Sequence, residues 1–327
     1  LSADPPAILD RMSRLFRDVH GGARAPQGSV VCIGAFDGLH LGHQALVRHA
    51  VSRARDLGLP AVALTFQPLP REYFGRAAPP ARLQSTRGRI EGLCALGADE
   101  VGLLRFGERL SGMSAEEFVD GVLHRLLRAR EVWVGPGFRF GHARGGDLDL
   151  LCAMGTRLGF TAGSIAPVAV AGERVSSTRV RAALAAGDFS TAARLLGRPY
   201  AMGGRVVRGR QLGRTLGYPT ANLRLPRGAA PLSGIFATRV HGLGPMPLPA
   251  VSSLGTRPTV GGVEPLLETH IFDFDADIYT RRIEVEFVAR LRDELKFDGL
   301  DALVAQMDRD AGQARDILDL PPARKTA

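Results

Sequence analysis

The stretch SVVCIGAFDGLHLGHQALVRHAV (29–51) decides the fold of the first half of the chain. An apolar, β-branched run gives way at Gly34 to a glycine-rich turn. Val47, Ala50, Val51 and, beyond the stretch, Ala54 then recur at helical spacing. Strand, tight turn and helix in that order open a βα unit. Working outward, AVALTF (61–66), EVGLLRF (100–106) and EVWVGPGF (131–138) have the same strand character, with helical patterns between them. Ser114 and Glu117 form a capping box that predicts a helix over 115–128. Such alternation predicts an α/β fold with a doubly wound parallel sheet, whose ligands bind at the carboxyl ends of the strands.

The turn itself carries chemistry. His40 and His43, three apart in the first helical turn, share one face. A helix N-terminus presents unpaired N–H groups and partial positive charge, which suits phosphate. Two imidazoles there can donate to phosphoryl oxygens as charge develops. Gly34, Gly38 and Gly42 permit tight turning and close approach of the backbone. The pattern is not G-x-G-x-x-G, so a dinucleotide-redox reading loses its main support. Purely structural capping and zinc are the alternatives, and zinc lacks a third ligand nearby. A second piece, VSSTRVR (175–181), opens another helix with hydroxyls able to bond phosphate oxygens; taken alone it reads as an N-cap.

From about Tyr200 the pattern changes to Gly-punctuated alternating runs, ending in RRIEVEFVARL, where Ile283, Val285 and Phe287 point one way. This is the period of antiparallel strands with one wet face and predicts a small barrel. Helical spacing returns from Leu300 to Leu318 through Leu303, Val304, Met307, Ala311 and Ala314, predicting a helix packed across the barrel. The two domains are expected to be 1–186 and 187–327, with a linker near 187–200. Within GGRVVRGRQLGRTLGYPTANL, Thr220 offers a hydroxyl and Asn222 an amide oxygen, hard ligands suited to Mg²⁺. Gly209, Gly213 and Gly217 would let a loop close on phosphates, with Arg208, Arg210 and Arg214 able to supply charge. Asp273, Asp275, Asp277 and Glu284 match four positions of a calcium loop, but Ile278 stands where that loop needs glycine, so a solvated turn is expected.

Composition narrows the classes. The chain has 327 residues, 45% hydrophobic and 23% charged, which fits an ordinary globular protein of about two domains. Its net charge is +9, yet Lys296 and Lys325 are the only lysines, so no Walker-type phosphate loop exists. Cys32, Cys94 and Cys152 form no C-x-x-C pair and read as buried free thiols of a reducing, cytoplasmic protein. No apolar run reaches the ~18 residues of a membrane helix, and no secretory signal is expected. Residues 1–11, ahead of Met12, are read as an upstream extension without a function.

In order along the chain, G-A-F-D-G-L-H-L-G-H (34–43), T-F-Q-P-L-P (65–70), F-R-F-G (138–141) and S-S-T-R-V-R (176–181) resemble the FMN adenylyltransferase module of prokaryotic bifunctional FAD synthetases, a Rossmann-like nucleotidyltransferase. L-G-Y-P-T-A-N (216–222), G-T-R-P-T (255–259), L-E-T-H (267–270), D-I-Y (277–279) and E-L-K-F (294–297) resemble the riboflavin kinase module that follows it. The resemblance implies that His40 and His43 stabilise the α-phosphate of ATP, that Gly34, Phe36, Asp37 and Gly38 line the nucleotide site, and that Ser177, Thr178 and Arg181 hold the triphosphate. It implies that Thr220 and Asn222 bind Mg²⁺ with ATP and that Glu268 is the base in riboflavin phosphorylation. Flavin is then substrate and product, and the partners are riboflavin, FMN and ATP, with no nucleic acid or membrane, in a monomer or weak oligomer.

Four departures stand out. Gly137 replaces the polar residue usual before F-R-F-G, and Pro136 ahead of it stiffens the turn. Leu69 replaces the His of P-H-P. Ser253 replaces the Asn of N-x-G, and Thr280 replaces the Gly of D-L-Y-G. The rival readings are a riboflavin kinase with a weakened adenylyltransferase domain, an adenylyltransferase acting on another phosphorylated acceptor, and an arginine-rich RNA-binding protein. The P-T-A-N barrel argues against the second. For the last, 6% aromatic residues give little for base stacking.

Overall fold

The computed structural model describes residues 15–17, 24–75, 79–209, 213, 216–225, 230–259 and 262–321, with main chain alone between 256 and 264. Residues 1–11, Arg210 and Arg214 lie outside these. The chain divides into two compact units, one of residues 1–79 and 86–177, the other of 80–85 and 178–327.

The first unit is a six-stranded sheet ordered β1-β4-β3-β2-β5-β6, with β1 Leu15–Phe16, β2 Ser29–Ile33, β3 Ala61–Gln67, β4 Glu100–Arg105, β5 Ala129–Val134 and β6 Thr161–Ser164. Every neighbouring pair is parallel. The side chains of β2 explain why both faces are covered. Val30 and Cys32 pack beneath helix α1 (Leu41–Asp56) and helix α2 (Thr86–Ala95), whereas Val31 and Ile33 join the core on the other side. That second core is closed by α3, which runs Ala115–Phe118 and continues as a π-helical stretch Val119–Leu126, and by α4 (Leu148–Leu158). The capping box at Ser114 and Glu117 forms, with the Glu117 N–H donating to the Ser114 hydroxyl at 3.1 Å.

The predicted strand 131–138 ends at Val134, and 29–36 ends at Ile33. Gly135-Pro136-Gly137 forms a turn, because proline cannot donate to the ladder and Gly137 takes φ +71°. A two-stranded hairpin, β7 (Ala169–Val170) with β8 (Glu173–Arg174), was not expected from the pattern. Cys32 is buried, but Cys94 and Cys152 are half-buried.

The second unit is a closed antiparallel barrel ordered β10-β13-β12-β11-β14-β9, with β9 Ala201–Val207, β10 Ala221–Arg224, β11 Gly234–His241, β12 Leu248–Thr259, β13 Gly262–Ile271 and β14 Arg282–Arg292. Helices α5 (Ser177–Ala185) and α6 (Phe189–Leu196) precede it. Ile283, Val285 and Phe287 are buried, as their alternation requires. Phe287 packs with Phe236 and with Phe189 of α6. Thr238, Ser252 and Thr269 form a buried hydroxyl chain across three strands, at 2.8 and 2.9 Å.

Helix α7 (Leu300–Ile317) lies against the barrel through Ala311, Ala314 and Leu318, which pack with Ala237 and Val251. The buried Asp310 is held by Arg292 of β14 at 2.6 Å, and Arg315 bonds both oxygens of Asp273 at 2.9 Å. Asp273 is thus committed to an ion pair and Glu284 to a strand. Among the described residues no group of His, Cys, Asp and Glu is arranged to hold a metal. No described helix is long and apolar enough to cross a membrane.

Candidate active sites

In the first unit β2 has β3 on one side and β5 on the other, so the order of strands reverses there. A crevice at the carboxyl ends of such a pair is where doubly wound sheets bind ligands. The turn 34–40 leaves β2 at this point, and Gly135–Phe138 leaves β5 beside it. Phe36, Gly38 and Leu39 take φ of +52°, +83° and +46°, a run of left-handed backbone that persists only where the surroundings enforce it. Phe36 is fully buried and meets His43 edge-on, with ring centroids 5.4 Å apart. The Ala35 carbonyl receives Thr65 at 3.2 Å and Arg89 at 2.9 Å. The Asp37 carbonyl receives the Ser177 hydroxyl at 2.9 Å.

His40 is the N-cap of α1. Its Nδ1 accepts the His43 backbone N–H at 3.2 Å, which places the ring proton on Nε2. The two imidazoles stack with centroids 3.7 Å apart. A Cβ on Gly42 would come within 3.2 Å of the His40 ring, so this glycine makes room for the stack. A Cβ on Gly34 would come within 3.0 Å of the Phe36 ring. Burial lowers His40 to about 4, and the nearby Arg174 charge pushes the same way. Burial, His40 and Arg89 hold His43 well below its usual range. Both rings are therefore neutral near pH 7. His43 Nδ1 is buried without a hydrogen-bond partner among the described residues.

Two arginines here escaped the sequence reading. Arg89, 3% exposed, donates to the carbonyls of Ala35 and Phe66, each at 2.9 Å, and so ties the ends of β2 and β3. Arg174 donates to the Pro136 carbonyl at 3.0 Å. An aromatic group at the ends of β3 and β4 also escaped it: Phe66, Tyr73, Phe74 and Phe106 meet edge-on, and Phe74 remains 59% exposed. Ser177 thus joins the turn around His40. Thr178 and Arg181 belong to the second unit, where Arg181 Nε donates to the Ala81 carbonyl at 2.6 Å.

On the barrel, Asn222 of β10 lies directly opposite Glu268 of β13, and Glu268 lies opposite Ser253 of β12. Directly paired residues share a face, so the three side chains form a row. Leu223, Leu267 and Thr269 alternate with them and are buried. Beside the row is a cavity of about 380 Å³, lined by Thr220, Glu268, Ser253 and Arg292 among others and roofed by Leu303 and Met307 of α7. Asn222 is 4% exposed. Its Nδ2 donates to the Thr220 carbonyl at 3.4 Å, while Oδ1 is buried with no partner among the described residues. A Cβ on Gly209 would come within 2.6 Å of that carboxamide, so Gly209 supplies the space it occupies.

Gly213 accepts the N–H groups of Leu216 and Tyr218 at 3.1 and 2.7 Å, and Gly217 takes φ +82°. Together these two turn the chain toward Thr220. Arg208 lies over the Tyr279 ring at 5.1 Å. Burial pushes the Tyr218 hydroxyl up, helped by its bond to Asp308. Thr280, at the position where D-L-Y-G has glycine, takes φ +65°.

A helix N-terminus carrying two imidazoles on a parallel sheet, and a barrel bearing a hydroxyl, an amide oxygen and a carboxylate, are arrangements suited to the chemistry of a two-domain phosphate-transferring enzyme. Residues 23–179 match the family model for FAD synthetase, and residues 196–318 match that for riboflavin kinase. The chain is 42% identical over 308 residues to the bifunctional riboflavin kinase/FMN adenylyltransferase of Escherichia coli (strain K12), covering 94% of this chain and 98% of that one. It is 39% identical to the protein of the same description from Haemophilus influenzae, covering 92% and 98%. A solved structure described as a macrolide-efflux protein from Streptococcus pneumoniae superposes with a TM-score of 0.76 at 32% identity, covering 92% of this chain and 98% of that one. The chain belongs to the bifunctional riboflavin kinase/FMN adenylyltransferase family, with both enzyme domains present.

Proposed function

We propose that the barrel converts riboflavin and ATP to FMN and ADP, and that the parallel-sheet domain converts FMN and ATP to FAD and pyrophosphate. The functional boundary falls near residue 186, in the interval between the two matched spans. The observation that carries the kinase reading is the pairing of Asn222 with Glu268 beside the cavity, with Asn222 Oδ1 buried and unsatisfied among the described residues.

In the kinase, Glu268 takes the proton of the riboflavin 5′-hydroxyl as that oxygen bonds the γ-phosphorus and the bond to the β–γ bridging oxygen breaks. Thr220 and Asn222 would hold Mg²⁺. Their neutral hard oxygens fit it, and the orphaned Oδ1 is the acceptor such an ion would satisfy. Bound there, Mg²⁺ would neutralise charge on the transferring phosphate. The apolar lining from Val251, Leu303 and Met307 suits the flavin ring.

In the adenylyltransferase, a phosphate oxygen of FMN attacks the α-phosphorus of ATP and pyrophosphate leaves. The nucleophile is already anionic, so no base is needed. His40 Nε2–H and the His43 ring serve as neutral donors to the α-phosphoryl oxygens, while Arg89, Arg174 and the helix N-terminus supply positive potential. Gly34, Phe36, Asp37, Gly38 and Gly42 shape the nucleotide site, and Ser177, Thr178 and Arg181 hold the triphosphate. Gly209, Gly213 and Gly217 line the kinase's phosphate loop. Phe74 and Phe106 offer rings on which a flavin can stack. The enzyme works in the cytoplasm as a monomer or weak oligomer, without nucleic acid.

The test is incubation with riboflavin, ATP and Mg²⁺ followed by chromatography of the flavins. FMN and FAD together are expected. FMN alone would withdraw the adenylyltransferase activity, and the absence of both products would withdraw the proposal.

A further inference from the structure

Thr220 stands just outside the barrel ladder, because β10 begins at Ala221 and spans only four residues. Something else must fix it. On β13, two residues beyond Glu268 and on the same strand face, His270 Nδ1 lies 2.9 Å from the Pro219 carbonyl. A carbonyl oxygen only accepts, so His270 donates. The His270 ring meets Tyr218 edge-on at 5.0 Å and Phe272 at 5.7 Å. Phe272 is backed by the Arg315 guanidinium at 4.6 Å. Tyr218, one residue before Pro219, donates its hydroxyl to Asp308 of α7. The segment Tyr218-Pro219-Thr220 is therefore gripped from β13 and from α7, and the grip from β13 comes from the strand that carries Glu268.

We infer that His270 is a positioning residue of the kinase: by donating to the Pro219 carbonyl it fixes Thr220, which the ladder does not hold, relative to Asn222 and Glu268, which the ladder already pairs. The inference rests on the reading that Thr220 and Asn222 hold Mg²⁺. Its physical basis is the narrow geometric tolerance of Mg²⁺, which demands near-octahedral ligands at about 2.0–2.1 Å. A loop free to drift would lose the ion before it lost the fold. His270 acts here through the Pro219 carbonyl, and its ring also lines the cavity beside Glu268.

The test uses the full chain with Mn²⁺ and ADP, following free Mn²⁺ by electron paramagnetic resonance. The Asn222→Ala chain, lacking a kinase-site ligand, gives the contribution of the other domain, which is subtracted. His270→Ala is expected to weaken the remaining Mn²⁺ binding about tenfold, the lower end of what loss of an outer-shell partner costs. His270→Asn, whose amide N–H can replace the Nδ1 donor, is expected to recover most of it. A parent-like thermal unfolding profile, including the transition of the barrel, reports that each variant is folded. If His270→Ala binds Mn²⁺ like the parent while Asn222→Ala does not, the inference fails and the metal-site reading stands. Equal weakening in His270→Ala and His270→Asn would also overturn it, because the donor would not be what matters. Parent-like binding in Asn222→Ala would remove the metal-site reading and the inference with it.

Discussion

The parallel-sheet site and the barrel site, proposed to serve the same cosubstrate, have opposite side-chain chemistry. At the end of β2 two neutral, stacked imidazoles sit at a helix N-terminus, with the charges of Arg89 and Arg174 close enough to depress them. On the barrel a carboxylate and a hydroxyl line a cavity, and a buried amide is paired opposite the carboxylate. The nucleophiles account for the difference. A phosphate monoester attacks as an anion and asks only for charge stabilisation, whereas a primary hydroxyl must lose a proton, which requires a base. On the proposed roles two lysines suffice: helix ends, buried arginine and hard oxygen ligands would take the place of the lysine of a Walker loop.

The comparison can be broken at either site. Glu268→Gln removes the base while keeping the shape, and FMN formation should fall about a thousandfold; loss of less than tenfold in a rate assay would deny Glu268 that role. His43→Ala should slow FAD formation about a hundredfold, as removal of a transition-state donor does, and leave FMN formation intact. Gly209→Ala places a methyl against the Asn222 carboxamide and should raise the Mg²⁺ needed for half-maximal FMN formation about tenfold, an overpacking cost of 1–3 kcal/mol. An unchanged requirement would separate Asn222 from the metal.

Stability offers two finer tests. His40 titrates near 4 folded and at its ordinary 6.5 when unfolded, so between these values the unfolded chain binds the extra proton. Stability should fall as pH drops through that window and be fully present above it, and His40→Gln should flatten the slope in denaturant titrations. Thr280→Gly relieves a β-branched residue at φ +65° and should stabilise the protein by about 1 kcal/mol, part of the gain being offset by the greater freedom of the unfolded chain. A loss of stability would show that Thr280 packing outweighs its strain.

The strand–turn–helix at 29–51 was readable because period and glycine breaks agree, and both cores follow from its alternation. The barrel was readable for the same reason at period two. The end of β5 was not, because Gly135-Pro136-Gly137 interrupts an otherwise strand-like run. Arg89 and Arg174 carried no local signal in a chain with 42 basic residues. What singles them out is the carbonyls that folding brings to each and, for Arg89, burial. The row Asn222, Glu268, Ser253 depends on register between strands remote in sequence, and the contact of His270 with Pro219 spans 51 residues. Composition and spacing do not encode either.

The most direct test of two separate sites is a crossed assay in which folded Glu268→Gln and His43→Ala chains each receive riboflavin or FMN, with ATP and Mg²⁺, and the flavins are quantified. Glu268→Gln should convert FMN to FAD and leave riboflavin untouched, and His43→Ala should convert riboflavin to FMN and stop there. Loss of both conversions from either single substitution would contradict the partition.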